Sequence, residues 1–214
     1  MLTVAEFAAQ LRSSEGAAFD VTTPQVEVIV NRWVRRLAVA SLWVRDEREL
    51  GPTVAGQDRY VIDPDIIEIH DLVVGADLSE RQSVETLFRL GAGSAFLVNG
   101  PPWTVYADRA DATTGAKLLM LYPIPDSDGV SLTALCAVIP ATLGENDTPP
   151  FPDDQIETLL NGCKATLYRE QDENPDEGAT YEALFAQEAE DLRRRRNGML
   201  GGTFRIPSYR DIAP

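Results

Sequence analysis

The chain has 214 residues, with 34 acidic against 19 basic side chains, a formal net charge of −15 and a hydrophobic fraction of 44%. That length and apolar content suit one globular domain, with or without a subdomain. The acidity excludes a sequence-reading nucleic-acid binder, because phosphate affinity comes from clustered lysine and arginine. It serves solubility, and it would also suit a wall past which DNA must slide without sticking.

In chain order, residues 3–11 read as a short amphipathic helix, with Val4, Phe7, Ala8 and Leu11 on one face. Residues 13–20 link it to the strongest periodic signal, a long helix over residues 22–45. Thr22 or Thr23 serves as N-cap and Pro24 sits where a first-turn proline is tolerated. Val26, Ile29, Val30, Trp33, Leu37, Ala40 and Val44 recur at three- and four-residue steps, while Arg32, Arg35 and Arg36 fall mostly off that stripe. Residues 46–52 are charged, end in Gly51-Pro52 and read as a polar loop.

The period then changes. Residues 59–62 and 66–74 read as strands around the turn Asp63-Pro64-Asp65, with Ile67, Ile69 and Asp71 on one face of the second. Residues 84–90 suit a strand or a helical turn, Gly91 to Ser94 a loop, 96–98 a strand, and 103–107 a strand after Pro101-Pro102. A polar loop over 108–115 precedes the strand 117–122, and the turn Asp126-Ser127-Asp128-Gly129 precedes the strand 130–139. Both faces of these last two strands are apolar, so each needs a cover.

After a proline-rich loop over 144–152, helical periodicity returns. Asp153 and Asp154 start a helix whose apolar face is Ile156, Leu159, Leu160, Cys163 and Leu167. Residues 172–178 connect it to a helix over 180–196 with Tyr181, Leu184, Phe185, Ala189 and Leu192 inward, ended by Gly198 and Gly201-Gly202. The fold class is therefore α+β: a helical bundle from residues 1–50 and 151–200, a central antiparallel β-rich insertion over 58–141, and an extended C-terminal arm over 201–214, in a single domain.

No catalytic constellation emerges. The lone histidine, His70, lies within a strand where a structural role is the commoner one, and no G-x-S-x-G elbow is present. Gly91-Ala92-Gly93-Ser94 lacks the third glycine of a dinucleotide loop. Asp63 with Asp65, Asp126 with Asp128, and Asp153 with Asp154 could bind a divalent cation, but each pair also suits a turn or helix start. Cys136 and Cys163 are not closely spaced and read as buried free thiols, without a metal or redox motif. No signal peptide or membrane span is read, which implies a reducing compartment. The expectation is therefore no enzyme, no cofactor and no metal. The alternatives are a metal-dependent enzyme or accessory subunit using the Asp-rich turns, and a small-ligand binding module using the β insertion.

Two features suggest interaction. The run Arg193 to Arg196 is a basic patch or, more simply, a helix end whose arginines pair with Glu188, Glu190 or solvent. The tail carries Phe204, Arg205, Ile206, Tyr209 and Arg210 after a double glycine, a composition suited to docking on a partner.

A series of segments then takes on meaning by its order. It runs from Trp43 and the charged stretch 46–50 to Tyr60-Val61-Ile62-Asp63-Pro64-Asp65-Ile66-Ile67-Glu68-Ile69, then Trp103-Thr104-Val105-Tyr106, the Tyr122-Pro123-Ile124-Pro125 string and residues 132–140. Phe151-Pro152-Asp153-Asp154, Leu159-Leu160-Asn161-Gly162-Cys163 and an arginine-ended last helix complete it. This order resembles the head-to-tail adaptor (connector) proteins of tailed bacteriophages over roughly residues 22–200; residues 51–58 and 78–93 match nothing in the pattern. The resemblance implies a structural virion protein at the head–tail junction, assembled in the host cytoplasm. Its partners would be the portal protein, a tail-side neck, stopper or tail protein, and copies of itself in a ring, usually of twelve, that extends the DNA channel. It further implies that Phe204, Arg205, Ile206, Tyr209 and Arg210 form a portal-binding arm. Arg32, Arg35, Arg36, Arg193 and Arg194 become candidates for the contact between neighbouring subunits.

Overall fold

A computed structural model describes residues 2–13, 19–81, 99–100, 105–110, 114–170 and 174–200. The segments expected over 84–98, the Pro101-Pro102 break, Trp103-Thr104 and the arm over 201–214 lie outside the described residues, as do 14–18, 111–113 and 171–173. The chain divides into two compact units, one made of Met1–Trp43 with Thr142–Pro214 and the other of Val44–Ala141.

The first unit is helical. Helix α1 (Val4–Ser13) buries Val4, Phe7, Ala8 and Leu11 as their spacing requires. Its first turn leaves backbone donors without intrahelical acceptors. Here the amides of Val4 and Ala5 donate to the carbonyls of Asp147 and Glu145 at 3.1 and 3.0 Å, which ties the 144–152 loop to the helix start. Helix α2 (Thr23–Ser41) begins where expected, with the Thr22 amide donating to Gln25 Oε1 at 2.9 Å.

It ends four residues short of Arg45. Leu42 takes the left-handed conformation (φ 53°) and donates its amide to the Ala38 carbonyl. The Ser41 hydroxyl donates to the Leu37 carbonyl at 2.6 Å and accepts the Trp43 amide at 3.3 Å. Ala40 is half-buried, and Val34, Ala38 and Ser41 complete the buried face.

A 3₁₀ turn (Asp153–Gln155) leads into α3 (Ile156–Glu170). This is the most enclosed helix, buried at Thr158, Leu159, Asn161, Gly162, Cys163, Ala165, Thr166, Leu167 and Tyr168, with Ile156 and Leu160 only half-buried. It contacts α1, α2 and the last helix, α4 (Pro175–Leu200). Two glycines set these approaches. A Cβ on Gly162 would lie 2.5 Å from the Trp33 indole, and one on Gly178 would lie 2.7 Å from Arg169 Cγ.

Helix α4 starts earlier than its period suggested, so residues 175–178 are helical and not part of the connection. Asn174 is its cap: Asn174 Oδ1 accepts the Glu177 amide at 3.3 Å, and Asn174 Nδ2 donates to Glu177 Oε2 at 3.0 Å. Gly198 does not stop it, since the helix runs on to Leu200. Phe185, Ala189 and Leu192 face inward as expected, Tyr181 is half-buried, and Leu184 points outward with 41% of its surface exposed.

The second unit is a curled sheet. Its strands are β1 (Arg45–Pro52), β2 (Arg59–Val61), β3 (Ile66–Val74), β4 (Asp77–Arg81), β5 (Asn99–Gly100), β6 (Val105–Ala110), β7 (Lys117–Tyr122), β8 (Ile124–Pro125) and β9 (Ser131–Val138). Seven form one sheet in the order β1-β9-β3-β4-β6-β7-β2, while β5 and β8 pair separately. The expected antiparallel insertion holds for most pairs, but β4–β6 and β5–β8 are parallel.

Residues 46–52, expected as a loop, are strand β1 because they pair antiparallel with β9, Asp46 opposite Cys136 and Glu49 opposite Thr133. Asp108 to Ala110 likewise extend β6 into the expected 108–115 loop. In β3 the buried side chains are Ile66, Ile69, Leu72 and Val74; of Ile67, Ile69 and Asp71, expected on one face, only Ile69 is buried, while Ile67 is half-buried and Asp71 exposed. Register shifts against β9 at Ile66/Glu68 and Ile69/Asp71 each add a residue and reset which face the chain presents.

One cluster joins Tyr60 of β2, Ile66, Ile69 and Leu72 of β3, Leu119 and Leu121 of β7, and Leu132, Ala134 and Cys136 of β9. Strands from distant places in the sheet order thus share one core, and the sheet's own curl covers one apolar face of β7 and β9. Lys117 Nζ bridges the curl, donating to the carbonyls of Ile66 and, at 2.9 Å, of Ile67. The Tyr60 hydroxyl accepts the Val54 amide at 3.0 Å and donates to the Gln57 carbonyl at 3.1 Å, fastening the loop before β2.

Replacing Gly162 with alanine should destabilise the helical unit by about 1–3 kcal/mol, because the added methyl has to displace a packed indole. The check is thermal or denaturant unfolding followed by Trp fluorescence; an unchanged midpoint would mean that the α2–α3 contact relaxes freely.

Candidate assembly surface

The five candidate interface arginines sit on α2 and α4, and the structure separates them into two groups. Arg32 Nη1 lies 3.4 Å from Glu170 Oε1. Arg36 Nη2 donates to Glu182 Oε1 at 2.8 Å, and its guanidinium lies 4.2 Å from the Trp33 ring centroid. Arg194 pairs within its own helix with Glu190 at 3.4 Å and Asp191 at 3.7 Å, the helix-end pairing that the sequence allowed. These three arginines are committed within the chain. Arg35 reaches only the Thr142 hydroxyl, at 3.3 Å, and neither Arg35 nor Arg193 has a carboxylate partner among the described residues.

Arg35 and Arg193 flank the same groove, a cavity of about 570 Å³ between α2 and α4 floored by Val39, Ala40, Phe185, Ala186 and Ala189. Val39 is 50% exposed there. Behind the groove the packing is firm: the Phe185 ring meets the Trp33 ring edge-on with centroids 4.5 Å apart, and Trp33 Nε1 donates to Thr166 Oγ1 at 2.8 Å. Glu182 also receives Arg169 Nη2 at 2.6 Å, so one carboxylate ties α2 and α3 to α4. The hydrogen bond from Arg36, and then that from Arg169, holds the Glu182 carboxyl below its ordinary value.

The paired aspartates have local duties. Asp65 Oδ2 accepts from Arg48 Nη2 at 3.0 Å, Asp128 Oδ1 accepts the Ala55 amide at 2.7 Å, and Asp154 Oδ2 accepts from Arg195 Nη1 at 2.8 Å. Among the described residues no three His, Cys, Asp or Glu side chains converge as a metal site. His70 is half-buried within β3. Both cysteines are buried, and burial pushes the Cys163 thiol up to about 12. The arm residues Phe204, Arg205, Ile206, Tyr209 and Arg210 lie outside the described residues.

Guanidinium groups without a carboxylate partner among the described residues, beside an open apolar floor, suit the class of assembly proteins of α+β fold. Comparison with known proteins gives that class a family. Over residues 2–207 the chain matches the family model described as SU10 adaptor protein, and it belongs to that family of phage head-to-tail adaptors. No curated protein matches the chain. Its role is thus that of a structural head-to-tail adaptor, a component of the virion that meets other capsid and tail proteins. Among the described residues no helix is long and apolar enough to cross a membrane.

Two outcomes follow. A carboxylate held low contributes stability that is fully present above its ordinary value of 4.5 and is lost as pH falls through its folded value. Glu182→Gln should therefore cost about 1 kcal/mol at neutral pH, and the gap to the unmodified protein should close as the pH is lowered below that value. Urea melts across pH 3–7 (about four conditions suffice) read this directly, and a gap that widened in acid would reverse the assignment. Cys163, with its thiol at about 12, should resist thiol reagents at pH 8 until the chain unfolds; labelling of the folded protein at that position would contradict its burial.

Proposed function

We propose that the chain assembles as a closed ring beneath the portal, twelve copies in the form the resemblance implies, extending the DNA channel and joining the capsid to a tail-side neck, stopper or tail protein. The observation that carries this reading is the family match over residues 2–207. In a ring each subunit offers two different faces to its neighbours, a heterologous contact that closes. The net charge of −15 supports a wall that DNA passes without sequence-specific binding. Assembly takes place in the host cytoplasm, with neither cofactor nor metal, and the chain performs no catalysis. Arg32, Arg35, Arg36, Arg193 and Arg194 are the basic contributors to the lateral face, with Arg35 and Arg193 the uncommitted pair. The two compact units act as parts of one adaptor domain.

Phe204, Arg205, Ile206, Tyr209 and Arg210 form an arm that docks on the portal by backbone pairing and side-chain pockets. Electron microscopy and native mass measurement of the full chain with purified portal test the reading. A closed ring stacked on the portal is expected, and truncation after Leu200 should abolish portal binding while leaving the chain folded. A chain that stays monomeric and never binds the portal would refute the adaptor ring, and undiminished binding by the truncated chain would refute the arm.

A further inference from the structure

Helix α4 carries two chemically opposite flanks. At about 100° per residue, Glu182, Ala186, Ala189 and Arg193 fall on one side of the helix and Leu184 falls about 200° from Glu182, on the other. The first flank is one wall of the α2–α4 groove. Its acids are already taken, Glu182 by Arg36 and Arg169 and Glu190 by Arg194, so among the described residues the charge left uncompensated at the groove is that of Arg35 and Arg193.

On the second flank the exposed Leu184 has Glu188 one turn away, and Glu177 and Asp191 lie two turns to either side, about 10 Å along the axis. Their neighbours there are mostly amides: Asn174 Nδ2 donates to Glu177 at 3.0 Å, and Asn161 Nδ2 lies 3.4 Å from both Glu188 oxygens. Of the cations on that side, Arg195 is bound to Asp154 at 2.8 Å and Lys164 Nζ lies 5.4 Å from the Tyr181 ring centroid, while Asp191 has a 3.7 Å contact with Arg194. An apolar knob on an acidic flank of α4 therefore lies opposite an apolar groove whose Arg35 and Arg193 have no carboxylate partner among the described residues.

We propose that the α2–α4 groove receives the Leu184 flank of a second copy of this chain, with Arg35 and Arg193 meeting the carboxylates of Glu177, Glu188 and Asp191 along that flank. The occupant follows from complementarity of apolar surface and charge. Because knob and groove lie on opposite flanks of one helix, each copy can fill a neighbour's groove while its own is filled. This contact rests on the ring reading and names the surfaces that make it.

The test uses the full chain, alone and with purified portal, in three forms: Val39→Cys, Leu184→Cys and the double variant. The native Cys136 and Cys163 are buried and out of reach of a mild oxidant. The double variant should give a ladder of disulfide-linked multimers, and a mixture of the two single variants should give crosslinked pairs, while each single variant alone should give none. Arg35→Glu with Arg193→Glu should abolish the multimer with an unchanged melting temperature, and the unmodified multimer should weaken as salt is raised. If the unmodified chain forms its ring but the double variant gives no ladder, or if the charge-reversed chain still assembles, this contact is wrong and the ring reading stands. If the unmodified chain stays monomeric with and without portal, both fail together.

Discussion

Trp33 stands where α2, α3 and α4 meet. Its ring reaches α3 only because position 162 is glycine: any larger residue there would place a Cβ 2.5 Å from the indole. From that seat the indole nitrogen donates to Thr166, the ring edge packs on Phe185 and the face carries the guanidinium of Arg36. Burying a side chain such as Phe185 is worth about 1.5–3 kcal/mol, but its position is what matters most. With the indole fixed, Arg36 reaches Glu182, Glu182 also holds Arg169, and one carboxylate ties α4 to the other two helices. The groove between α2 and α4 is the outer edge of the same arrangement.

This constraint also sorts the arginines. On sequence alone Arg32, Arg35 and Arg36 looked equivalent, three cations off an apolar stripe. Packing gives them different work. Arg36 serves the Glu182 network that links the helices, Arg32 meets Glu170 at the α3 end, and Arg35 is left facing the solvent beside Val39. A protein with so large an excess of carboxylates has every chance to neutralise its arginines internally. Arg35 and Arg193, which have no such partner among the described residues, are the ones whose charge remains available at the groove.

Much of this was legible from residue spacing. The helix faces of α1 and α3, the bounds of β3 and β7, and the α+β layout follow from apolar periods of three to four and of two. The misses have physical causes. Strand β1 carries Asp46, Glu47, Arg48 and Glu49, and its strand identity comes from pairing with β9, which no local period encodes. The face of β3 was misjudged because two bulges shift its phase, and nothing local marks them. Leu42 ends α2 in a left-handed conformation that leucine seldom takes, so the period alone carried the helix on to residue 45. The start of α4 was readable: Asn174-Pro175-Asp176-Glu177 combines a cap, a first-turn proline and a matching glutamate. Leu184 fits the apolar period of α4 yet faces outward, and the groove itself was not foreseeable, since it depends on how two distant helices meet.

The central claim is that this chain joins head to tail as a ring of like copies. A density map of the head–tail junction in the phage that encodes it tests this most directly. The account predicts a closed ring of this chain between portal and tail, with the α2–α4 groove of each copy turned toward its neighbour. A junction without the chain, or one holding it as separated copies, would contradict the account.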